Sequence, residues 1–549
     1  MHRCCCTYSC TEKATLTPES ELFQRVREDG VLDDSLLPGI VSHLSDAQDD
    51  LREYEEQAAH LRARLQILDA KITALKRNVD LTRSLLSPTR RIPNEILARI
   101  FEFCDVGLIP ADRRYRDPAI LSVSTRWRTV ALTNPSIWNC ITLEVFQMAY
   151  RQNLPALERI LERSKSTLLS VTIFLKQDGS GIVGPRYTTK VIEALIQHSS
   201  RWSHIAIQYN GSTEASSCLH PLATAVLDAR NLKEVAISSL VPPSWFSKML
   251  TSPKLDTLSV AALSQEGIAN IKSSASLRKL RFSICGAYNP ATLKNLEVMD
   301  GLGTLKELEL DLRYPMLKGQ SDNPAPLSIT SPLTTLSVEL TKGDPEADQY
   351  NLLTRTISCL TLPSVQKLSI CANVRTIPKG FWPIQQFHDF FQRSECSITS
   401  LKLCGLNLTD QALIALLSCM PALTDLCLAE WKTYGAVPTI GLTTEAIQAL
   451  HSTDYALSSP SFNVSQPLVP KLSRLRLTVN QTFDEEILAN VVDSRRNLWT
   501  DEVEASVRVA ELKSMGFKLS GRKINEEARK KLMGLQQGGL RLTIQDERS

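Results

Sequence analysis

Residues 398–428 read ITSLKLCGLNLTDQALIALLSCMPALTDLCL and contain two copies of one short apolar pattern. The copies are Ile398/Leu401/Leu403 and Leu423/Leu426/Leu428. The last two members of each copy are two positions apart, so a short strand points both to the same side. Between the copies, Leu413, Leu416 and Leu417 have helical spacing, and Pro421 ends that helix. The stretch therefore predicts one strand and one helix per repeat.

The same pattern recurs on both sides of this stretch. The further copies are Leu168/Val171/Ile173, Trp202/Ile205/Ile207, Leu232/Val235/Ile237, Leu255/Leu258/Val260, Leu277/Leu280/Phe282, Leu305/Leu308/Leu310, Leu333/Leu336/Val338, Val365/Leu368/Ile370, Leu472/Leu475/Leu477 and Leu512/Met515/Phe517. Parallel strands stacked side by side, with a helix returning on the outside, would bury a continuous core that no single repeat could bury. A conventional α/β domain with a parallel sheet is the alternative that the pattern leaves open.

The pattern resembles that of the leucine-rich repeat family, over roughly residues 165–520. Gly405-Leu406-Asn407 is the best match to the asparagine position of that family, which is not regular in this chain. The resemblance implies a solenoid over 141–520, with parallel strands inside and helices outside, and a cap or tail over 521–549. It also implies that the repeats bind a protein target, whose identity the sequence does not give.

Residues 44–86 contain neither glycine nor proline and repeat apolar side chains every seven positions. One seam position holds Leu44, Leu51, Ala58, Leu65, Ile72, Val79 and Leu86, and the second, three residues later, holds Ala47, Tyr54, Leu61, Leu68, Leu75 and Thr82. A seam of two residues in seven favours a coiled coil, because a helix on a globular face needs a wider stripe. We predict a long helix over 41–87. A homodimer through 44–86 and a single helix folded back on the chain's own domain both stay open.

Residues 88–138 form a small unit between the long helix and the repeats. Pro93 is predicted to start a helix, because its φ is already helical and it has no N–H to donate. Apolar residues with helical spacing then follow in two segments, and they are Ile96, Leu97, Ile100 and Phe101, then Leu121, Val123 and Trp127. A unit of about fifty residues buries only ~60% of its unfolded surface. Its surplus apolar surface therefore suggests a partner.

This unit, over 88–140, resembles an F-box. The matching positions are Arg91-Ile92-Pro93-x-Glu95-Ile96-Leu97-x-x-Ile100-Phe101, then Leu121-x-Val123-x-x-x-Trp127-Arg128, then Pro135-x-Ile137-Trp138. Two departures are Ser124, where the family often has cysteine, and a longer loop GLIPADRRYRDP over 107–118. Together with the preceding heptad helix, the arrangement resembles large fungal families of F-box-like proteins. The expected fold class is a long helix and a three-helix F-box, followed by an α/β solenoid of leucine-rich repeats.

The resemblance implies a substrate-receptor subunit of an SCF-type cullin–RING ubiquitin ligase. In that family the F-box docks on the Skp-type linker protein, and through it on a cullin, while the repeats bind the target. Carried over to this chain, the docking residues are Ile92, Pro93, Ile96, Leu97, Ile100 and Phe101, supported by Leu121, Val123 and Trp127. Each of these residues can also be read as core, the favoured role for Phe101, Trp127 and Trp138. The competing function is an interaction scaffold without a ligase.

Composition limits the other functions. The net charge of +3 over 549 residues gives no general nucleic-acid footprint. Two basic clusters, Arg113/Arg114/Arg116 and Arg522/Lys523/Arg529/Lys530/Lys531, are read as solvated faces. No run of about 18 apolar residues is present, so we expect no membrane span, and the N-terminus lacks the apolar region of a secretory signal. Fourteen thinly spread cysteines favour reduced thiols in the cytoplasm or nucleus.

No sequence motif of catalysis is present. We find no phosphate-binding glycine loop, no His-Glu-x-x-His, no paired Cys-x-x-Cys and no nucleophile elbow, so we expect no enzyme, no metal and no cofactor. His451 is read as a helix-end residue, and Cys404 and Cys427 as small buried apolar side chains. Residues 1–40 are predicted to be a disordered tail, with metal binding or acylation of Cys4, Cys5, Cys6 and Cys10 as minor alternatives.

Overall fold

The structure is a computed structural model. It describes residues 24, 27, 37–104, 106–109, 117–146, 153–176, 185–210, 219–238, 245–261, 263, 265–272, 276–285, 290–313, 328–341, 350–372, 382–406, 408–430, 444–452, 467–479, 484–496, 509–519 and 523–546. The predictions for Cys4–Cys10, Arg113, Arg114, Arg116, Asn407 and Arg522 lie outside these residues. The chain divides into two compact units, Met1–Leu97 and Ala98–Ser549.

The first unit contains the predicted long helix. Helix α1 runs over Leu37–Leu85 without interruption for 49 residues, and none of its residues is buried. It begins four residues before the predicted start at 41, so residues 37–40 belong to the helix and not to a disordered tail. Pro38 lies in the first turn, where its missing N–H costs nothing. A short 3₁₀ turn, Pro88–Arg91, follows and ends at Ile92, whose backbone is extended.

The second unit is built on one parallel sheet of fifteen strands. Its strands are β1 (Leu108–Ile109), β2 (Cys140–Phe146), β3 (Leu169–Lys176), β4 (Trp202–Asn210), β5 (Glu234–Ile237), β6 (Thr257–Val260), β7 (Lys279–Cys285), β8 (Glu307–Arg313), β10 (Thr335–Thr341), β12 (Lys367–Ala372), β13 (Ser400–Cys404), β14 (Asp425–Ala429), β15 (Arg474–Val479), β16 (Ser514–Leu519) and β17 (Arg541–Asp546). They follow one another in sequence order. Two further strands, β9 (Ile329–Thr330) and β11 (Leu360–Thr361), pair with each other in a separate two-stranded sheet.

Helices alternate with these strands. They are α2 (Asn94–Glu102), which crosses the division between the units, then α3 (Ile120–Val123), α4 (Thr125–Thr133), α5 (Asn153–Arg163), α6 (Pro185–Ile196), α7 (His220–Thr224), α8 (Phe246–Leu250), α9 (Gln265–Lys272), α10 (Tyr350–Cys359), α11 (Ile384–Ser394), α12 (Asp410–Ser418), α13 (Thr444–Gln448), α14 (Glu485–Arg496) and α15 (Glu526–Gln537). Between β7 and β8 a 3₁₀ segment, Pro290–Met299, takes the place of an α-helix. One strand and one returning segment per repeat is the arrangement of an α/β solenoid, so the predicted chain course is confirmed at this level.

The apolar pattern predicts the core of the sheet. Leu258, Leu280 and Leu308 are register partners on adjacent strands, and so are the corresponding residues along the rest of the sheet. All three members are buried in every predicted copy except the first, in which Leu168 is 41% exposed and Leu169 is buried instead. The reason is a register shift between Leu169 and Ser170 where β3 meets β4. Each buried Leu or Ile contributes ~1.5–3 kcal/mol before chain entropy.

The sheet extends beyond the predicted copies at both ends. Trp138, just before β2, and Ile141 and Leu143 on β2 repeat the pattern, and all three are buried. Ile141 and Leu143 pair with Val171 and Ile173 of the next strand. At the other end, β17 within the predicted cap pairs with β16 in the same register. Pattern and strand pairing thus place one repeat before, and one after, those predicted from the sequence.

A close backbone approach joins β1 to β2. Thr142 donates its N–H to the carbonyl of Gly107 over 3.0 Å. A Cβ at residue 107 would lie 1.8 Å from the carbonyl oxygen of Cys140. Only glycine therefore fits at this position. The predicted loop over 107–118 thus contains a strand, because the backbone at Gly107 comes near enough to β2 to pair with it.

Candidate functional site

Helix α2 starts where Pro93 predicts. The Pro93 carbonyl accepts the first helical hydrogen bond, from the N–H of Leu97 over 3.0 Å. Pro93 is exposed and Ile92 is half-buried. After the helix, the N–H of Phe103 bonds to the carbonyl of Ile100 over 3.2 Å, which continues the helical course by one residue.

The apolar residues of α2 form two stripes. Leu97 and Phe101 are each 1% exposed and belong to the core. Ile96 and Ile100, one turn apart, are 53% and 44% exposed. The sequence predicts one apolar face from these four residues, whereas the structure separates them into a buried pair and an exposed pair.

The remaining predicted docking residues also divide between core and surface. Leu121 is buried, whereas Val123, at the end of α3, is 58% exposed. Trp127 is half-buried, and its ring centroid lies 5.0 Å from that of Phe101 at a tilt of 59°. These positions show which side chains a partner could reach, and they do not test docking itself.

Ser124, one of the departures from the F-box pattern, has a structural role. It is the N-cap of α4, and its side-chain oxygen accepts the N–H of Trp127 over 3.1 Å. A serine hydroxyl satisfies one of the free N–H groups at a helix start, which a thiol does only weakly. This residue therefore supports the helix that carries Trp127.

The predicted docking residues do not include Phe103, which is 88% exposed. It follows Ile100 by three residues and Ile96 by seven, so helical spacing places it on the same side as both. This spacing is the sequence signal from which the exposed position of Phe103 beside Ile96 and Ile100 can be predicted. We refer to Ile96, Ile100 and Phe103 as the α2 face.

A second surface is formed by the strand residues that alternate with the core positions. On β7, β8 and β10 this outward side carries charges that neutralise one another. Lys279 Nζ lies 2.6 Å from the Glu309 carboxylate, which raises the pKa of the lysine. Arg281 bonds to Glu339 over 3.3 Å. Buried Asp311 accepts Ser283 Oγ over 3.0 Å and Arg313 Nε over 2.8 Å.

The outward side of β12 to β17 is strongly basic. Its cations are Lys367, Lys402, Arg474, Arg476, Lys518 and Arg541, all exposed. Among the outward positions of these strands, Asp425 is the single carboxylate, and it lies 3.2 Å from Arg474 Nε and 3.3 Å from Arg476 Nη2. Gly516 is the register partner of Arg476. A Cβ added at residue 516 would lie 3.3 Å from Cγ of Arg476. We refer to the six cations as the basic face.

Three cysteines, Cys371, Cys404 and Cys427, occupy outward positions of β12, β13 and β14. Cys404 is buried, as the sequence analysis expects, but Cys427 is only half-buried. Both lie on the side of the sheet opposite to the leucine core. The expectation that Cys427 is a buried apolar side chain is therefore wrong, because the strand turns it outward.

A cleft of about 640 Å³ lies between α5 and α6 and is lined in part by His198 and Arg201. Arg201 donates to Ser164 Oγ over 2.5 Å and to the carbonyl of Thr167 over 3.0 Å, so it holds the end of α5. Burial lowers the pKa of His198, and the charge of Arg201 lowers it further. The imidazole is therefore neutral at pH 7, and these contacts give Arg201 a structural role.

Comparison of the chain with models of known protein families and with curated proteins finds no match. Over the ranges that the structure describes, no helix is long and apolar enough to cross a membrane. In the same ranges, no group of three or more His, Cys, Asp or Glu residues is placed to hold a metal ion. The surfaces from which a function can be inferred are the α2 face, the basic face and the exposed seam of α1.

Proposed function

We propose that this protein is a substrate-receptor subunit of an SCF-type cullin–RING ubiquitin ligase. Its F-box-like segment, 88–140, docks on the Skp-type linker protein, and its leucine-rich-repeat-like sheet holds the target. The observation that supports this proposal best is the α2 face, on a helix whose other stripe is already used by the core.

The exposed apolar side chains at α2 are grouped together and are not scattered singly over the surface. Single exposed apolar residues are ordinary, but Ile96 and Ile100 are 53% and 44% exposed on one side of α2. Phe103, which is 88% exposed, directly follows the helix end at the same spacing. Burying a side chain of this size against a partner is worth ~1.5–3 kcal/mol. Large apolar side chains grouped in this way are typical of the energetic centre of a protein interface.

In this proposal the protein performs no chemistry itself and needs no cofactor. The linker, and through it the cullin, docks on the α2 face, and the target docks on the sheet. Holding both together raises the effective concentration of target lysines near the charged ubiquitin carrier. The cytoplasm and nucleus are the proposed compartments.

The basic face is the proposed target surface. The basic face has six cations and one carboxylate, so it attracts a negatively charged protein segment. Such charge complementarity raises the rate of association and excludes basic partners. Because the cations lie on neighbouring strands of a continuous sheet, their spacing is fixed before binding. An acidic stretch of the target protein is therefore the proposed ligand.

An interaction scaffold that uses these surfaces without a ligase is the competing function. It predicts bound proteins that include neither the linker nor a cullin, and no change in the lifetime of the bound protein. The exposed seam of α1 is the feature that would favour it.

Affinity purification of the full-length protein from cells tests the docking proposal. Wild type should recover both the linker and a cullin. Pro93→Ala/Ile96→Ala and Ile100→Asp/Phe103→Asp should each reduce that recovery at least ~tenfold, since several interface centres are lost together. Val226→Asp, at a side chain that is 95% exposed and lies between β4 and β5, is the matched control. Equal recovery from all variants, or no linker with wild type, would reject the proposal.

A further inference from the structure

The three outward-facing cysteines are neighbours in a defined order. Cys371 on β12 and Cys404 on β13 are direct register partners. Cys404 pairs on its other side with Ala429, two residues beyond Cys427, so Cys427 is its diagonal neighbour. Cys404 makes side-chain hydrogen bonds with both of the other thiols.

Charged groups of both signs face these thiols. Glu339 on β10 is the register partner of Cys371 and raises its pKa, whereas Lys402 lowers it. Asp425 raises the pKa of Cys427.

Cys427 is the register partner of Lys402 on one side and of Arg476 on the other. Ser369 Oγ lies 3.6 Å from Cys371 Sγ. Neighbouring cations and hydrogen-bond donors stabilise a sulfur anion, which is the reactive form of cysteine.

The hydrogen bond with Cys404 lowers the pKa of Cys371 to about 6, against the opposing effect of burial. The same kind of bond lowers the pKa of Cys427 to about 7. Both bonds raise the pKa of Cys404, which keeps its proton. Cys404 has one S–H and donates to one neighbour at a time, so the cluster holds one thiolate stabilised in this way near neutral pH.

Other cysteines of the sheet unit differ from this cluster. Burial raises the pKa of Cys359, Cys396 and Cys419, so their thiols stay protonated. These three residues have surroundings that make a buried cysteine inert. They serve as internal controls in the same molecule.

Strand geometry determines which pair can be bridged. Register partners on adjacent strands are roughly 4.7–4.9 Å apart, within the range of about 4.4–6.8 Å that disulfides span between Cα atoms. Diagonal neighbours are roughly 7–8 Å apart and fall outside it. Cys371 and Cys404 therefore meet the requirement, and Cys404 and Cys427 do not.

We propose that Cys371 and Cys404 form a peroxide-sensitive thiol pair that closes to a reversible disulfide within the basic face. The Cys371 thiolate attacks one oxygen of hydrogen peroxide, the O–O bond breaks, and the leaving hydroxide takes up a proton as water. The resulting sulfenic acid is attacked by the Cys404 sulfur. An S–S bond forms, and the hydroxyl leaves as a second water with the Cys404 proton. Two thiols lose two electrons, and one peroxide gains them.

The position of this disulfide favours a labile, regulatory type. Exposed disulfides are reduced more readily by thiols than buried ones, and Cys371 is only half-buried. Formation of this disulfide removes the Cys371 thiolate, which the charge of Lys402 on the adjacent strand stabilises, and so changes the charge of the basic face. The inference needs only the sheet and its register, and it does not depend on the ligase proposal.

The test uses the full-length protein, hydrogen peroxide and differential alkylation read by peptide mass spectrometry. Peroxide should give a Cys371–Cys404 linked peptide that dithiothreitol removes, while Cys359, Cys396 and Cys419 stay reduced. At pH 7, Cys371 should be alkylated at least ~tenfold faster than Cys419, and its rate should rise with an apparent pKa of about 6.

Two variants make the test specific. Cys404→Ala should abolish the linked peptide and move the alkylation profile of Cys371 toward higher pH, because the hydrogen-bond donor is lost. Cys427→Ala should leave the Cys371–Cys404 bridge intact. The inference is overturned if wild type forms no such bridge, if Cys427 replaces Cys371 in it, or if Cys371 is alkylated at the rate of Cys419.

Discussion

Gly107 shows how one residue without a side chain allows β1 to pair with β2. A Cβ there would be 1.8 Å from the Cys140 carbonyl oxygen, so a methyl group forces the backbones of β1 and β2 apart. Gly107→Ala should lower the free energy of unfolding by about 3 kcal/mol, the upper part of the range for overpacking. Gly303→Ala is the control, because nothing lies within 4 Å of its Cβ position. Equal urea midpoints for the two variants would contradict the close approach.

Arg495 also has a structural role, which is not expected of an arginine. It is fully buried, and its guanidinium donates to the carbonyls of Leu450 over 2.5 Å, Val469 over 3.2 Å and Leu468 over 2.7 Å. Burial lowers its pKa to about 10, which still leaves it charged at neutral pH. Nothing in the sequence marks this role, because arginine residues are mostly exposed in folded proteins.

Arg495→Met should therefore destabilise the fold by about 3 kcal/mol or more, since three buried carbonyls lose their donor. Arg474→Met is the control, because that side chain is 60% exposed and its pairing with Asp425 is worth about 1 kcal/mol at most. Chemical denaturation of both variants provides the measurement. A loss at Arg474 as large as that at Arg495 would contradict the structural role.

At the scale of elements, α1 raises the question of what covers its seam. None of its residues is buried, and Leu65 and Ile72 of the seam are 59% and 47% exposed. The sequence left open a dimer and a helix folded back on the chain's own domain. An uncovered seam over 49 residues favours the dimer.

Light scattering on the full-length protein decides between these alternatives. Wild type should have the mass of a dimer at micromolar concentration, and Leu65→Asp should have that of a monomer. Ile67→Asp is a closely matched control, because Ile67 is 58% exposed on the same helix but outside the seam. A monomeric wild type, or dissociation by both variants, would reject the heptad interface.

The basic face predicts a salt-dependent affinity for acidic chains. Lys402→Glu/Arg476→Glu should weaken binding of a polyglutamate peptide at least ~tenfold at low salt, because two attractions become repulsions. The difference should shrink as salt screens the charges. Lys530→Glu, on α15, should bind like wild type. Fluorescence anisotropy measures all three proteins, and equal weakening by the two variants would argue against a localised surface.

The repeats show which part of an element can be read from sequence. The spacing of apolar residues fixes the strand core, because the side chains alternate strictly between the two sides of a strand. The spacing predicts Leu168 as a core residue, but a register shift brings Leu169 into the core in its place. Trp138 matches the end of the F-box pattern, and in the structure it also begins the repeat completed by Ile141 and Leu143.

At the scale of the whole molecule, the order of long helix, small helical unit and parallel repeat sheet follows from the sequence. The surfaces do not follow from it in the same way. The helical spacing of Ile96, Leu97, Ile100 and Phe101 does not show which two of them face the core. The contact between the rings of Phe101 and Trp127 in the structure shows that Phe101 faces inward. The basic face and the thiol cluster depend on the register between strands far apart in sequence, which composition does not encode.

The central claim, that the α2 face docks on a Skp-type linker, is tested most directly by calorimetric titration of the purified linker into the purified full-length protein. We predict one linker per chain with submicromolar affinity, and at least ~100-fold weaker binding by Ile100→Asp/Phe103→Asp, given the energies of interface centres. Val226→Asp should bind as wild type does. Absence of binding to the wild-type protein, or unchanged affinity of the α2-face variant, would contradict the account.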